Sequence, residues 1–525
     1  MKIATAAGCA VVASALAVGG FAAAATPPSS GPVVIRTGDG AVRGIAAPGD
    51  RTFDGIPYAA PPVGSLRWRP PQPVRPWTGV RDATRPGNRC PQPGRPGQPM
   101  VVGAEDCLYL NVSTPARAWP GARLPVMVWF HGGGFTSGSG GDYDPTRLVR
   151  SGNVLVVTVN YRLGALGFLD VPALAAQNPY AGNYALADQQ AALRWVRRDI
   201  DVFGGDPGNV TIAGQSAGGF GVCAHLAAPG SRGLFDKAIV QSGPCGNALG
   251  TRAAAERQGA AVAAGLGCAD PATTPACLRD VSVEALVRIG RPGGVAAGEV
   301  SWGFTAGTPA LPLQPLTALR RGVAAQVPLI QGSTHDEMTE YVASRFDLRG
   351  SPLTAEEYPV VLAQFFGDRA HAIAVEYPLS RYASPDLALA AVLTDWGGQV
   401  GACPVLPADN AAAGRAPVHA YEFAQDDGLR IGDLAVGAAH GSELPYLFDG
   451  TFDWSPPPPP DPTLSAQMIR YWTRFARTGD PNGPGTPYWP AYRHDGPVLS
   501  LAAGPAGIRV TDFAANHHCA FWHGR

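Results

Sequence analysis

The sequence has little charge and no marked excess of either sign. Only 15% of its 525 residues are Asp, Glu, Lys or Arg, and 40 basic residues nearly balance 41 acidic ones, which gives a formal net charge of -1. A protein without a strong electrostatic field has no general attraction to nucleic acid or to anionic lipid. We therefore expect a small, weakly charged molecule as the partner, and no nucleic acid.

Long apolar runs are missing beyond the N-terminus, so no later segment predicts a membrane-spanning helix. At the N-terminus, Lys2 precedes a run of apolar and small residues, and Ala23 to Ala25 offer a small-residue cleavage site. We interpret residues 1–25 as a secretory signal peptide and expect a secreted, extracellular protein that begins near Thr26. A membrane anchor is the alternative, but the run is rich in alanine and is followed at once by prolines.

Repeats are also missing, and the one low-complexity patch is SPPPPPD, from Ser455 to Asp461, which is typical of a stiff surface loop. The 67 glycines and 52 prolines are spread through the chain, which indicates a loop-rich globular protein. We therefore treat residues 26–525 as one domain, long enough to bury a sizeable core.

The sequence lacks the usual signatures of a metal or nucleotide site. No cysteine pair has CxxC spacing, and His517 and His518 beside Cys519 have no further ligands at zinc-finger distances. The glycine-rich HGGGF, from His131 to Phe135, lacks the GK[ST] ending of a phosphate-binding loop. We expect no metal and no cofactor.

The cysteine count agrees with export. One of the nine cysteines, Cys9, lies in the signal, and the even number that remains suggests disulfides in an exported protein. Neighbours in the sequence favour Cys90 with Cys107 and Cys268 with Cys277. The sequence alone leaves the pairing open.

Short apolar runs alternate with helical patterns along the chain. LPVMVWF, VLVVTVNYR, NVTIAG, FDKAIVQSG and VPLIQGS predict strands, and ALADQQAALRWVRRDI has the spacing of a helix. Continuous β-branched strands alternating with helices indicate an α/β fold whose parallel sheet is covered on both faces. Ligands bind such sheets at the carboxyl ends of the strands. The Ala/Gly/Pro-rich segment from Gly246 to about Gly322 predicts a cap or insertion.

The pentapeptide GQSAG, Gly214 to Gly218, lies between a predicted strand and a predicted helix. In a nucleophile elbow, the central serine has strained backbone angles, and the flanking glycines let the strand and the helix approach closely. Ser216 is therefore a candidate nucleophile. The alternative is a turn whose serine only caps the following helix.

HGGGF follows the predicted strand VMVWF. Glycine backbones can direct N–H donors at an oxyanion with no side chain in the way. We choose Gly133, Gly134 and Ala217 as the oxyanion-hole donors of an acyl-transfer site.

A nucleophilic serine needs a base, and the base needs an orienting acid. After the predicted strand VPLI come Asp336 and Glu337, either of which could be the acid. His440, in AAHGSELPYLF, is the candidate base because its position after the acid fits the chain order serine, acid, histidine.

Four segments together resemble the type-B carboxylesterase and lipase family, the cholinesterase-like branch of the α/β-hydrolases, in a secreted bacterial-type form. They are EDCLYLNVSTP, HGGGF, VTVNYRLGALGFL and FGGDPGNVTIAGQSAGG. The resemblance implies an α/β-hydrolase fold with cap-like insertions, Ser216 as nucleophile, Glu337 as acid and His440 as base. It also implies Gly133, Gly134 and Ala217 as the oxyanion hole.

The resemblance further implies structural pairs around this site. Three disulfides and two ion pairs match family features, and Ser242 and Glu443 look like supports behind the catalytic residues. The disulfides are Cys90–Cys107, Cys268–Cys277 and Cys403–Cys519, and the ion pairs are Arg67–Glu105 and Arg162–Asp188. Cys223 and Cys245 then remain and could form a fourth disulfide.

Two departures from the family pattern bear on the substrate. The loop between Cys90 and Cys107 has no tryptophan, whereas cholinesterases use an aromatic face there to hold a quaternary ammonium, so a choline ester is not the expected substrate. Most relatives have Glu where this chain has Gln215, which keeps a hydrogen-bonding group without the charge. Gln215 could instead be only a turn residue.

These observations predict a secreted serine hydrolase of carboxylic esters that forms an acyl-enzyme on Ser216. An amidase or carbamate hydrolase would use the same residues. A recognition protein without catalysis is the alternative from another class, since one fold hosts several functions.

Overall fold

The computed structural model describes residues 31–289, 301–398, 400–450 and 459–523. The predicted signal peptide and most of the SPPPPPD stretch lie outside these residues. Within the described ranges, no helix is long and apolar enough to cross a membrane.

A 13-stranded sheet runs through the molecule. Its strands are β1 (Gly31–Thr37), β2 (Gly40–Ala47), β3 (Asp50–Pro57), β4 (Val80–Asp82), β5 (Tyr109–Pro115), β6 (Leu124–Phe130), β7 (Leu155–Val159), β8 (Gly205–Gln215), β9 (Lys237–Gln241), β10 (Leu329–Thr334), β11 (Val418–Phe423), β12 (Val498–Leu501) and β13 (Arg509–Thr511). Their spatial order is β1-β2-β3-β5-β7-β6-β8-β9-β10-β11-β12-β13, with β4 beside β2. From β7 to β12 all neighbours are parallel, while β1, β2, β3, β5 and β13 pair antiparallel along that order.

Helices connect these strands, as the alternating sequence pattern predicts. They are α1 (Thr146–Gly152), α2 (Gly164–Phe168), α3 (Pro172–Ala175), α4 (Tyr184–Asp199), α5 (Ala217–Ala227), α6 (Arg252–Gly265), α7 (Thr274–Asp280), α8 (Val283–Ile289), α9 (Pro315–Arg321), α10 (Thr339–Arg345), α11 (Glu357–Phe366), α12 (Ala370–Glu376), α13 (Pro385–Trp396), α14 (Val405–Ala413), α15 (Pro462–Thr478), α16 (Phe513–Asn516) and α17 (Cys519–His523). Short two-stranded sheets lie outside the main sheet, at Gln92–Pro93 with Val101–Val102, Tyr143–Asp144 with Asp449–Gly450, Gly250–Thr251 with Thr305–Ala306, and Arg430–Ile431 with Leu434–Ala435.

The strand β6 shows why the central strands are apolar throughout. Its residues alternate between two cores: Val128 packs in one core and Trp129 in the other. Helices α4 and α5 contribute to the first core and α15 contributes to the second. Both faces of the sheet are therefore buried, which confirms the predicted α/β architecture.

The carboxyl ends of four parallel strands bring distant segments together. HGGGF follows β6, Ser216 follows β8, Asp336 and Glu337 come soon after β10, and the loop with His440 comes after β11. The segment predicted as a cap or insertion contains α6 to α9, and part of it lines the cavity at this edge of the sheet. This edge is therefore where a ligand of such a sheet would bind.

Four disulfides are formed, Cys90–Cys107, Cys223–Cys245, Cys268–Cys277 and Cys403–Cys519. The pair that the sequence left open, Cys223 with Cys245, is among them. Both expected ion pairs are present and bidentate. Arg67 donates to Glu105 at 2.7 and 2.6 Å, and Arg162 donates to Asp188 at 2.8 and 2.7 Å.

Candidate active site

Ser216 lies at a sharp turn between β8, which ends at Gln215, and α5, which begins at Ala217. Its backbone has φ 55° and ψ -122°, a conformation that costs a non-glycine residue energy. The side chain makes no capping hydrogen bond to α5, so the interpretation of Ser216 as a helix cap is wrong. The turn is the elbow that GQSAG predicts.

The flanking glycines are required because the backbones approach closely. A Cβ atom on Gly214 would overlap the backbone of Gly218, and one on Gly218 would overlap the carbonyl oxygen of Phe130 at the end of β6. Larger residues would therefore force β8, α5 and β6 apart and displace Ser216.

The expected amide donors surround the same cavity as Ser216. Gly133 and Gly134 have φ 105° and 58°, which favour glycine, and both line the cavity. Ala217 is the first residue of α5, so its N–H has no partner within the helix. These three N–H groups are therefore the candidate donors to a negative oxygen beside Ser216.

His440 is partly buried between Glu337 and Gln215. Its Nδ1 lies 2.5 Å from Glu337 Oε2, and its Nε2 lies 3.1 Å from Gln215 Nε2. Glu337 also accepts a hydrogen bond from the Thr334 amide at 2.9 Å. The ring therefore has one nitrogen held by a carboxylate and the other beside the Gln215 amide, and His440, Gln215 and Ser216 all line one cavity.

The two charges of this pair stabilise each other. Burial favours the neutral form of both groups, yet the attraction between them dominates. The pKa of Glu337 is therefore lowered, and the pKa of His440 is raised above its usual 6.5. The pair can accept a proton on His440 without first neutralising Glu337.

The choice between Asp336 and Glu337 has a geometric answer, because Glu337 is the one in contact with His440. Asp336 instead links the two loops. Its amide donates to the Ala438 carbonyl at 3.0 Å, and its Oδ2 accepts from the Ala438 amide at 2.9 Å. This link, two residues before His440, was missed from the sequence, where an acidic residue beside Glu337 was only a second candidate acid.

Ser242 and Glu443, which the resemblance implies as supports, are both buried close to the pair. Ser242 directly follows β9, and its amide donates to the Gly332 carbonyl at 2.9 Å. Glu443 accepts from Gln241 Nε2 at 3.0 Å, and burial raises the pKa of Glu443 to about 7. Close to neutral pH, Glu443 can therefore be neutral while Glu337 is ionised.

A cavity of about 700 Å³ opens beside Ser216 and His440. Aromatic side chains form much of its wall, and Phe135, Phe168 and Phe304 meet there edge to face, with ring centroids 5.0 to 5.4 Å apart. Its described lining contains no lysine or arginine, and the carboxylate of Asp142 pairs with Arg89. Sequence reasoning found only Phe135 of this wall, because the other rings come from remote segments.

Three comparisons with known proteins agree with this arrangement. The model of the carboxylesterase family matches residues 31–522. Cocaine esterase from Homo sapiens is 35% identical over 512 residues, which are 92% of this chain and 88% of that protein. Para-nitrobenzyl esterase from Bacillus subtilis (strain 168) is 35% identical over 477 residues, 88% of this chain and 93% of that protein. A solved structure of a PNB esterase is similar with a TM-score of 0.75 and 33% identity, over 91% of this chain and 97% of the other.

Proposed function

This chain belongs to the carboxylesterase family and is a carboxylic ester hydrolase, and from that premise we propose that it works through an acyl-enzyme on Ser216. The Ser216 oxygen attacks the ester carbonyl while His440 takes its proton, and Glu337 stabilises the imidazolium that forms. His440 then protonates the leaving alcohol. It next activates a water molecule that releases the acid and restores Ser216.

The observation that carries this proposal is the contact of His440 Nδ1 with Glu337, at 2.5 Å, in a histidine that lines the same cavity as Ser216. A hydrogen bond from Nδ1 to a carboxylate fixes the tautomer whose Nε2 is free to accept a proton. The contact from Gln215 to Nε2 occupies that nitrogen without protonating it. In the reaction, the Ser216 hydroxyl takes the place of the Gln215 amide.

The developing negative oxygen is stabilised by the N–H groups of Gly133, Gly134 and Ala217. Fixed backbone donors need no reorganisation when the charge forms, and each one contributes about 2.7–4 kcal/mol in comparable sites. Both glycines line the cavity beside Ser216, which supports this role.

The test is hydrolysis of short-chain p-nitrophenyl esters by the wild type and by Ser216→Ala. We expect kcat to fall by about 10⁴-fold or more, because the variant has no nucleophile. Ser351→Ala, at an exposed serine outside the cavity lining, is the matched control and should retain most activity. A fluorophosphonate probe should label the wild type at Ser216. Full activity in Ser216→Ala would refute the acyl-enzyme, and a wild type that neither hydrolyses nor reacts would favour a silent recognition protein.

The wall of the cavity supports neutral esters with an apolar or aromatic group as substrates. Phe168, Phe304 and Trp302 offer apolar surface, and the described lining has no basic side chain to bind an anion. A polyanionic ester would lose its hydration there without gaining a partner.

We also propose that residues 1–25 direct export and that the mature protein, residues 26–525, is one α/β-hydrolase domain. The four disulfides support an oxidising compartment. Mass spectrometry of the protein from the culture medium should find an N-terminus near Thr26. An intact N-terminus on cell-retained protein would contradict this.

A further inference from the structure

A second cluster of buried polar side chains lies beside the loop that carries Glu337. Glu422, in β11, accepts contacts from two histidines through one oxygen: His335 Nδ1 and His517 Nε2 each lie 2.7 Å from its Oε1. The three residues come from the end of β10, from β11 and from the C-terminal segment. They have no part in the proposed ester hydrolysis.

We propose that His335, Glu422 and His517 bind a zinc ion. The donor atoms, two imidazole nitrogens and a carboxylate oxygen, all lie within 4.8 Å of one another. Zinc binds such atoms at about 2.0–2.2 Å, and a tetrahedral ion would hold its ligand atoms roughly 3.3 Å apart. Each 2.7 Å contact would have to lengthen by about 0.6 Å, which side-chain rotation of His335 and Glu422 can supply.

The surroundings of His517 are those of a metal ligand. Its Nδ1 lies 2.6 Å from Asp395 Oδ1, which leaves Nε2 turned toward the other two donors. Asp395 is itself held by the Tyr377 hydroxyl at 2.8 Å. Histidines that bind metals commonly give their other nitrogen to a carboxylate in this way, because it fixes the ring and its tautomer.

The negative charges of the cluster also favour a bound cation. Glu422 and Asp395 are both buried, and among the described residues neither carboxylate contacts a lysine or an arginine. Two buried carboxylates with neutral histidines would leave two negative charges uncompensated. Zinc would neutralise both.

An ion could enter from one side. The His335 side chain is 41% exposed, whereas those of Glu422 and His517 are 2% and 3% exposed. A water molecule could therefore fill the fourth position on the solvent side. The mixture of nitrogen and oxygen donors suits zinc, whereas calcium and magnesium prefer oxygen alone.

The ion would fasten the C-terminal segment to the sheet. His517 lies two residues before Cys519, whose disulfide with Cys403 already anchors that segment. His335 lies two residues before Glu337 in the sequence. The site is therefore structural, and it steadies the base of the loop on which Glu337 lies.

Zinc retention by the purified full chain tests this. The protein is stripped with a chelator, dialysed at pH 8 against low-micromolar zinc, and analysed for bound metal. The wild type should retain one equivalent that His335→Ala loses. Asp395→Asn should bind about 10–100-fold more weakly. The control is His494→Ala, whose histidine is 81% exposed and pairs with its neighbour Asp495, outside the cluster.

A second readout is thermal unfolding of the same proteins with zinc, calcium or magnesium. Zinc should raise the melting temperature of the wild type by about 2 °C or more and leave that of His335→Ala unchanged, because an ion stabilises only the fold that binds it. Because His335 is partly exposed, its replacement should leave the chain folded. Equal zinc retention by the wild type and His335→Ala, or no retention by the wild type, would overturn the proposal.

Discussion

At the residue scale, the proposed chemistry depends on the two nitrogens of His440. Glu337 holds Nδ1, and the amide of Gln215 contacts Nε2. The first contact favours a protonated ring, and the second favours a neutral one because an N–H donor needs a lone pair on Nε2. The pH dependence of the reaction and the identity of residue 215 are therefore linked.

We expect the activity of the wild type to fall on acidification through an apparent pKa above 6.5. His440 accepts a proton only when it is neutral, and Glu337 raises the pKa of His440, so the ring keeps its proton to a higher pH. The measurement is kcat/KM for a neutral p-nitrophenyl ester between pH 5 and 9. Constant activity down to pH 6 would contradict the raised pKa.

Gln215→Glu should move this acid limb upward by about one pH unit or more. A carboxylate beside Nε2 adds a negative charge and accepts where the amide donates, so the protonated ring is favoured. The same charge should increase kcat/KM for a cationic ester relative to a neutral ester of similar shape. Gln326→Glu, an exposed position, is the control and should change neither quantity. If Gln215→Glu behaves like this control, Gln215 is only a turn residue.

At the element scale, the crossing of β8, α5 and β6 sets the position of Ser216. Phe130 is the last residue of β6, and Gly218 is the second residue of α5. The two backbones are so close that Gly218 has no space for a Cβ atom. The peptide units of HGGGF start directly after this contact. The elbow and the candidate oxyanion hole therefore share one packing constraint.

Gly218→Ala should impair catalysis more than binding. The added methyl group would push α5 from β6 and move Ser216 relative to Gly133 and Gly134, and a displacement of about 1 Å can cost about 10²-fold in rate. We expect that loss in kcat and a loss of about 1–3 kcal/mol in the free energy of unfolding. The matched control is Gly265→Ala at the end of α6, where a Cβ meets nothing within 4 Å. Equal activity in the two variants would refute the packing argument.

At the scale of the whole molecule, the disulfides differ in the length of chain that they close. Cys403 and Cys519 are 116 residues apart and join the C-terminal segment to the region before α14, whereas Cys268 and Cys277 are 9 residues apart. A crosslink restricts the unfolded chain more when the closed loop is longer.

Removing the long-range disulfide should therefore destabilise the protein more. The chain-entropy relation gives about 5 kcal/mol for Cys403→Ala with Cys519→Ala, and about 2.6 kcal/mol for Cys268→Ala with Cys277→Ala. Urea denaturation of the two double variants, in zinc-free buffer, measures the difference. A larger loss for the short loop would show that native packing, and not loop length, sets the contribution.

Much of the fold follows from local sequence patterns. The apolar runs became the central strands, the helical spacing from Ala185 to Ile200 falls almost entirely in α4, and GQSAG became a turn with a strained serine. Such features depend on residues that are neighbours in the chain. The roles of Ser216, Glu337 and His440 remain predictions until the variants are measured.

The rest of the site was beyond the reach of local patterns. Gln215 contacts His440, and Asp336 contacts Ala438, across more than 100 residues of sequence. The residue spacing within each segment does not predict either contact. The aromatic wall of the cavity likewise gathers rings from α2, α5 and the segment before α9. Each of these contacts depends on which loops meet at the carboxyl ends of the sheet.

The sequence by itself determined the family, the elbow at Ser216 and the glycine turn before Phe135, because steric limits on the backbone act between neighbouring residues. Only the tertiary structure decided that Cys223 pairs with Cys245 and that His517 meets His335 and Glu422. The cluster around His517 does not follow zinc-finger spacing, so the sequence did not reveal it. A parallel sheet brings donors together across strands that are far apart in the chain, and no spacing within one segment encodes that meeting.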